Sequence, residues 1–287
     1  MDLQSGNVVG LLHPGEMGAA VGRCLSDAGY TVLWASEGRS GDTAARAAAA
    51  GLTDAGRVRD LTAQASVIIS VCPPHAALDV AWAVHGFSGL YLDANAISPD
   101  TAREVAKLIT GSGGRYVDGG IIGGPPVPPG GGTRLYLSGE DAPEVAEMFA
   151  GTPLEPRVAG GSAVAASAVK MAYAAWTKGS AALLLGARAL AEAEDVQDAL
   201  LAEWAMSQPK LADQSVRSAW SAATKGWRWV GEMEEIAHAM AAAGLPDGFH
   251  QAAAEVYRRV QRTPAADADK VLADVMVALT GREPDQG

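Results

Sequence analysis

The chain has 287 residues, a length that suits one large domain or two ordinary ones. Its 22 Lys and Arg residues against 33 Asp and Glu give a net charge of −11, the wrong sign for a nucleic-acid-binding surface, so no nucleic-acid partner is expected. Hydrophobic residues make up 48% and charged residues 19%, which is the composition of a folded globular protein and excludes general disorder.

Two cysteines and the apolar segments bear on metals, disulfides and membranes. Cys24 and Cys72 have no His or Cys at metal-ligand spacing, so the sequence predicts neither a metal site nor a disulfide framework. Residues 1–7 lack the basic start and apolar stretch of a secretion signal, and apolar stretches such as 181–187 are too short to span a membrane. We therefore expect a cytoplasmic protein with no membrane partner.

The first half of the chain alternates β-rich runs with Ala-rich helical segments. The predicted strands are residues 8–12, 31–34, 67–72, 90–95 and 116–118. This alternation is typical of parallel strands joined by crossover helices, and the consecutive apolar residues suit strands covered on both faces. We predict a doubly wound α/β sheet of the Rossmann type.

Residues 119–132 read GGIIGGPPVPPGGG, with seven glycines and four prolines. That composition argues against a helix or a central strand and predicts an ordered loop or a flexible lid. After it, the sequence predicts a strand over 133–138, a helix over 141–150 and a last strand over 157–159.

The second half is predicted to be all-α. One long helix covers about 162–194, and further helices cover 196–207, 211–243, 248–261 and 267–279, separated by prolines and a glycine turn. We predict two domains, a nucleotide-binding domain over 1–160 and a helical substrate and dimerisation domain over 161–287. The long apolar helix favours a homodimer, and 282–287 is predicted to be a disordered tail.

A glycine-rich turn follows the first strand and opens an Ala-rich helix, which is the context of a dinucleotide-binding fingerprint. Gly15 would let the backbone approach a diphosphate and Gly18 would let the helix pack closely on the strand, but position 13 holds His13 where the fingerprint has its first glycine. The candidate cofactor-binding residues of this segment are Gly10, His13, Pro14, Gly15, Glu16, Met17 and Gly18.

The end of the second predicted strand distinguishes NADP from NAD. Ser36, Arg39 and Ser40 favour the 2′-phosphate of NADP, whereas Glu37 favours the ribose hydroxyl of NAD. We predict NADP, with NAD still possible.

Two further loops follow predicted strands at the edge where ligands gather in open α/β sheets. Cys72, Pro73 and Pro74 are predicted to line the cofactor, although the proline pair is also a simple strand stop. Asn95 is predicted to contact the cofactor or a small-molecule substrate; its alternative is an ordinary polar loop residue.

The order of motifs resembles the β-hydroxyacid dehydrogenase superfamily, which includes 6-phosphogluconate dehydrogenase and the imine reductases. The glycine turn resembles the family's opening, DANAISP at 93–99 resembles its D-x-S-T-x-S-P segment, and DGGIIGG at 118–124 with the following GT resembles its D-A-P-V-S-G-G stretch and G-T strand. The chain is most similar to the branch with a phosphogluconate-dehydrogenase-like C-terminal domain of unassigned function.

The resemblance implies a catalytic role for Lys170, which falls where the family keeps a lysine. A positioned lysine moves a proton at the oxygen of an alcohol or carbonyl if burial lowers its pKa, and Lys170 has apolar neighbours. Tyr173 and Thr177 share its helical face and are candidate substrate-binding residues. The alternative for Lys170 is a surface lysine on an amphipathic helix.

Two departures from the family bear on the substrate. Ala174 stands where the family has Asn, and Ile122, before Gly123 and Gly124, stands where it has the serine of its substrate-binding segment. We keep Ile122, Gly123 and Gly124 as candidate substrate-binding residues. The expected activity is hydride transfer between NADP and a hydroxy acid or related alcohol or carbonyl; the alternatives are an imine reductase, which generally lacks the lysine, and a non-catalytic NADP(H)-binding sensor.

Overall fold

The computed structural model of the protein describes residues 7–262 and 267–282. The chain divides into two compact units between Met171 and Ala172. The first unit holds an eight-stranded sheet, and every element that is described in the second is a helix. The predicted fold class, an α/β sheet domain followed by an all-α region, is confirmed.

The sheet contains all of the predicted strands and one more. The strands are β1 Val8–Leu12, β2 Thr31–Trp34, β3 Thr53–Asp54, β4 Val67–Ser70, β5 Leu90–Asp93, β6 Arg115–Ile122, β7 Arg134–Ser138 and β8 Glu155–Val158. β3 was not predicted, because its two residues form too short a run to leave a pattern in the sequence.

The strand order is β3-β2-β1-β4-β5-β6-β7-β8. Strands β1 to β6 pair in parallel, β6 and β7 pair antiparallel, and β7 and β8 are again parallel. The order 3-2-1-4-5-6 is that of dinucleotide-binding sheets, in which ligands bind beyond the carboxyl ends of the strands.

Among the described residues, seven α-helices belong wholly or in part to the first unit. They are α1 Glu16–Asp27, α2 Gly41–Ala49, α3 Val58–Thr62, α4 Ala77–Trp82, α5 Pro99–Gly111, α6 Ala142–Met148 and the start of α7 Ala165–Ala193. Alternate strand residues enter separate apolar clusters: Leu11 and Ile69 pack with residues of α1, α2 and α6, whereas Leu12 and Ile68 pack with residues of α3, α4 and α5. The sheet is therefore doubly wound, as predicted.

The second unit continues α7 and adds α8 Gln197–Ser207, α9 Leu211–Ala242, α10 Gly248–Arg259 and α11 Ala268–Thr280. These bounds match the predicted helices closely, since proline and glycine breaks are local signals. None of the described helices is long and apolar enough to cross a bilayer. The predicted tail lies, after its first residue, outside the described residues.

One prediction about the glycine- and proline-rich segment is wrong. Its first four residues, 119–122, form the end of β6, a strand in the interior of the sheet. The glycines fit there because neighbouring backbone comes very close: a Cβ at Gly119 would lie 2.8 Å from the Asp93 carbonyl oxygen, and a Cβ at Gly120 would lie 2.8 Å from that of Ala166. The loop itself begins only after Ile122.

Candidate functional site

The glycine turn joins β1 to α1 through a tight backbone contact. A Cβ at Gly18 would lie 2.1 Å from the His13 carbonyl oxygen, so only glycine lets the first turn of α1 sit this close to the turn. That carbonyl also accepts a hydrogen bond from the Gly15 N–H at 2.9 Å. The close helix packing assigned to Gly18 from the fingerprint is therefore present in the backbone.

Gly15 lies at the N-terminus of α1 and faces open space. It adopts φ −68° and ψ −170°, and a Cβ added there would meet no atom of the described residues within 4 Å. An uncapped helix N-terminus beside free space fits a phosphate group, because the backbone N–H groups and the helix dipole both favour an anion. Pro14 next to it is buried, whereas Glu16 is exposed and Met17 half-buried.

Gly10 serves packing within the sheet domain. It lies inside β1, and a Cβ there would be 2.3 Å from a methyl carbon of Leu61 on α3. Its assignment to the cofactor stays a prediction.

His13 is joined to Arg39, which lies on the exposed loop after β2. The Arg39 guanidinium donates to His13 Nε2 across 2.9 Å, because arginine has no acceptor atom. Burial and the neighbouring Arg39 charge lower the pKa of His13 to about 4. His13 Nδ1 is buried without a hydrogen-bond partner among the residues that the structure describes.

A second arginine contacts the same turn and was not predicted from the sequence to do so. Arg46 on α2 points its Nε at the Pro14 carbonyl oxygen across 3.4 Å and donates to the Thr43 hydroxyl at 3.0 Å. Two guanidinium groups therefore lie beside the glycine turn. Arg46 has no local signal in the sequence, since its contact spans 32 residues along the chain.

The other predicted residues of the β2 loop have protein partners. Ser40 caps α2 by accepting a hydrogen bond from the Thr43 N–H. The partner of Ser36 is the Asp54 carboxyl, whose pKa is lowered by hydrogen bonds from the Gly56 backbone and from Ser36. Glu37, the residue that favoured NAD, forms an exposed ion pair with Arg57 at 3.3 Å.

The loops after β4 and β5 are held together by Asn95, which is buried. Its side-chain oxygen accepts from the Cys72 N–H at 2.6 Å, and its side-chain nitrogen donates to the Ser70 hydroxyl at 3.0 Å. The Asn95 N–H donates to the Asp93 carboxylate. Asn95 thus fixes the backbone that leads to Pro73 and Pro74. Desolvation raises the pKa of Cys72 to about 12, so its thiol is not nucleophilic near neutral pH.

A buried carboxylate, Asp118 on β6, fixes the start of α7. It accepts from the Ser138 hydroxyl at 2.9 Å and from both the N–H, at 2.8 Å, and the hydroxyl of Ser167. Ser138 in turn accepts from the Ala166 N–H. Burial raises the pKa of Asp118, and desolvation raises that of its neighbour Asp93 to about 7. This network ties the N-terminus of α7 to the carboxyl end of the sheet.

Lys170 follows one turn later on α7. Its ammonium group donates to the Ile121 carbonyl oxygen across 2.8 Å, and its Cβ would lie 3.0 Å from a Cβ at Gly120. The half-buried Lys170 is therefore held at the end of β6, three residues beyond Asp118 on the same strand.

The predicted substrate-binding residues fall into two groups. Ile122 is buried, while Gly123 and Gly124 are exposed at the start of the loop, where the Thr133 hydroxyl donates to the Gly124 carbonyl at 2.7 Å. Tyr173 and Thr177 belong to the second unit, and the Thr177 hydroxyl donates to the Tyr173 carbonyl. Their predicted roles toward substrate remain predictions.

Three serines of these networks, Ser70, Ser138 and Ser167, were not predicted from the sequence to be site residues. One feature of the sequence could have identified Ser70, Asp93 and Asp118. Each is a polar residue in a largely apolar run that was predicted to be a strand. In the described part of the chain, no group of three or more His, Cys, Asp or Glu side chains is arranged to hold a metal ion.

Comparison with known families gives two matches. Residues 8–147 match the NAD binding domain of 6-phosphogluconate dehydrogenase, and residues 191–260 match a domain of unknown function, DUF1932. An uncharacterized 28.5 kDa protein of Methanothermus fervidus, encoded in the 7S RNA 5′ region, is 30% identical over 196 residues, which cover 67% of this chain and 74% of the relative.

Solved structures of similar fold include a conserved protein of unknown function described as structurally similar to 3-hydroxyacid dehydrogenases. It is 26% identical, with a TM-score of 0.65 over 92% of this chain and 99% of its own. Mycobacterium tuberculosis 3-hydroxyisobutyrate dehydrogenase with L-serine is 20% identical, with a TM-score of 0.64 and coverages of 93% and 98%. A reductive aminase from Aspergillus terreus with NADPH is 20% identical, with a TM-score of 0.55 and coverages of 93% and 98%.

Proposed function

We propose that this chain, which belongs to the β-hydroxyacid dehydrogenase superfamily together with 6-phosphogluconate dehydrogenase and the imine reductases, is an NADP-dependent oxidoreductase. Its substrate is a hydroxy acid or a related alcohol or carbonyl compound. A bound nicotinamide supplies or accepts the hydride in such a reaction. The chain's own residues hold the nucleotide and move the proton.

The observation that carries the proposal is the position of Lys170. Its ammonium group is fixed by the Ile121 carbonyl at the carboxyl edge of the sheet, where nucleotides bind in this fold. There Lys170 acts as the general acid when a carbonyl is reduced and as the general base when an alcohol is oxidised. Asp118 positions Lys170 by fixing the start of α7.

The nucleotide is held by the turn between β1 and α1. The N-terminus of α1 at Gly15 would hold the diphosphate, and Cys72 with the two prolines after it follows the end of the neighbouring strand β4. Arg39 and Arg46 support NADP over NAD, because guanidinium groups bind a phosphate monoester in a planar, bidentate fashion. Glu37, which would favour NAD, is engaged by Arg57.

Substitution of Lys170 tests the catalytic role. We expect Lys170→Met to lower turnover by a factor of about 10² to 10⁴, the usual contribution of a general acid, while the Kd of NADPH stays within about twofold. The matched control is Lys107→Met, which removes an exposed lysine of α5 in the same unit. Turnover would be followed as NADPH oxidation with oxo acids and cyclic imines. Retained turnover in Lys170→Met with intact NADPH binding would rule out this role.

Imine reduction on the same fold is the second candidate. Ile122 is 3% exposed and Ala174 1% exposed, and neither supplies the polar group that the family uses to hold a substrate carboxylate or hydroxyl. Faster NADPH consumption with cyclic imines than with oxo acids would favour this candidate. Tight NADPH binding without turnover of oxo acids or cyclic imines would instead identify a non-catalytic sensor. In that case Lys170→Ala should leave the Kd of NADPH unchanged.

A homodimer formed through the helical unit completes the proposal. Trp176, Leu183 and Leu190 lie seven residues apart on α7 and are 76%, 60% and 64% exposed. A heptad-spaced apolar stripe on a long helix fits a second copy of the same helix, since exposed tryptophan and leucine side chains at this spacing form knobs for a facing helix.

The two cysteines are free thiols, in keeping with a cytoplasmic location.

A further inference from the structure

His13 stands where the dinucleotide fingerprint has its first glycine, and its side chain forms a hydrogen bond with Arg39. We propose that His13 is a positioning residue for cofactor choice: its ring holds Arg39 in place for the phosphate that distinguishes NADP from NAD. This inference rests on the proposed function, because it concerns the nucleotide site of the same turn. It adds a residue that is not part of the fingerprint and that acts through Arg39.

The backbone of His13 is fixed, which makes its ring a suitable anchor. Its N–H donates to the Val71 carbonyl at 3.3 Å, its carbonyl accepts from Gly15, and the missing side chain of Gly18 fits against that carbonyl. Arg39, in contrast, is an exposed residue on a loop, where a long side chain loses conformational freedom when it binds a ligand. A hydrogen bond that already orders the guanidinium reduces this loss at the moment of binding.

The chemistry of the pair matches this role. Arginine only donates, so His13 Nε2 is the acceptor and the ring proton lies on Nδ1. The lowered pKa of His13, about 4, keeps the ring uncharged near neutral pH, so it does not repel the guanidinium. A glycine at this position would offer Arg39 no acceptor, which gives a reason for the departure from the fingerprint.

Arg46 supplies an internal control, because it reaches the same turn without His13. It is directed at the Pro14 carbonyl and donates to the Thr43 hydroxyl. Removal of the His13 ring therefore leaves the contacts of Arg46 intact. If His13→Ala weakens NADPH binding, and weakens it only when Arg39 is present, the loss is then attributable to the His13–Arg39 hydrogen bond and not to Arg46.

The test is a set of nucleotide titrations that needs no substrate. The Kd values of NADPH and NADH would be measured by nucleotide fluorescence for the wild-type protein, His13→Ala, Arg39→Ala and the double variant. We expect wild type to prefer NADPH, His13→Ala to weaken NADPH by about 3- to 10-fold, as for the loss of one hydrogen bond, and NADH to stay within about twofold. The double variant should bind NADPH no more weakly than Arg39→Ala, because His13 acts through Arg39.

His13→Gln separates positioning from folding, since its side-chain oxygen still accepts a hydrogen bond; it should recover most of the NADPH affinity. An unchanged NADPH Kd in His13→Ala, equal weakening of NADPH and NADH, or additive effects in the double variant would each overturn the inference while leaving the proposed function intact. A wild-type protein that binds neither nucleotide would overturn the proposed function and this inference together.

Discussion

Substitution by alanine should affect different properties at two glycines of the turn between β1 and α1: stability at Gly18 and nucleotide affinity at Gly15. Gly18→Ala places a methyl group 2.1 Å from the His13 carbonyl oxygen and 3.1 Å from its carbonyl carbon. Both atoms are backbone, so the clash is relieved only when α1 moves away from β1. Overpacking of this kind costs about 3 kcal/mol in the free energy of unfolding, which corresponds to a Tm about 6–12 °C lower for a unit of this size.

Gly15→Ala is the matched comparison, since its Cβ would have no neighbour within 4 Å in the described part of the chain and its φ of −68° suits alanine. We expect its stability to change by no more than about 1 kcal/mol, from the weaker preference for alanine at a helix N-terminus. Its methyl group would instead occupy the space above the first turn of α1, so the Kd of NADPH should rise by at least about 10-fold.

The assay combines thermal unfolding with NADPH titration of both variants and wild type. The expected pattern is a large loss of stability in Gly18→Ala and a selective loss of affinity in Gly15→Ala. A Gly18→Ala protein as stable as wild type would refute the close approach of α1 to the turn. A Gly15→Ala protein that binds NADPH as tightly as wild type would refute the position of the diphosphate.

Three further outcomes are expected. Asp118→Ala should lower the free energy of unfolding by about 3 kcal/mol in denaturant titrations, because it strands buried donors at the start of α7; a change below about 1 kcal/mol would contradict the network. Burial raises the pKa of Asp93 to about 7, so the stability that the protonated carboxyl provides is fully present below pH 3.8 and is lost as the pH rises through 7. In denaturant titrations, the free energy of unfolding of Asp93→Asn should therefore rise relative to that of wild type between pH 4.5 and 8, by up to about 4 kcal/mol, and a difference that does not change with pH would contradict the raised pKa. Trp176→Glu with Leu183→Glu should give a monomer in sedimentation at micromolar concentration, and an unchanged mass would exclude the stripe on α7 as the dimer contact.

Local signals account for the parts of the fold that were predictable from the sequence. The apolar run of β1 followed by glycines identified the turn and α1, and prolines and glycines marked the ends of the helices in the second half. These features depend on neighbours in the chain, so periodicity and turn chemistry were enough to find them.

Long-range contacts account for what the sequence could not give. Gly119 and Gly120 form strand because β7 pairs with both and because the end of β5 approaches Gly119 and α7 approaches Gly120, which no local pattern indicates. Asp118 meets Ser167 from 49 residues away, and His13 meets Arg39 from 26 residues away. Lys170 was identified through the family resemblance, whereas the carbonyl that holds it became visible only in the folded chain.

A crystal structure of the protein with NADP⁺ is the most direct test of the central claim, that this sheet edge binds the dinucleotide and presents its nicotinamide to Lys170. We expect the diphosphate at Gly15, the 2′-phosphate in contact with Arg39 and the nicotinamide beside the Lys170 ammonium group. A nucleotide bound away from the turn, or a nicotinamide remote from Lys170, would contradict it.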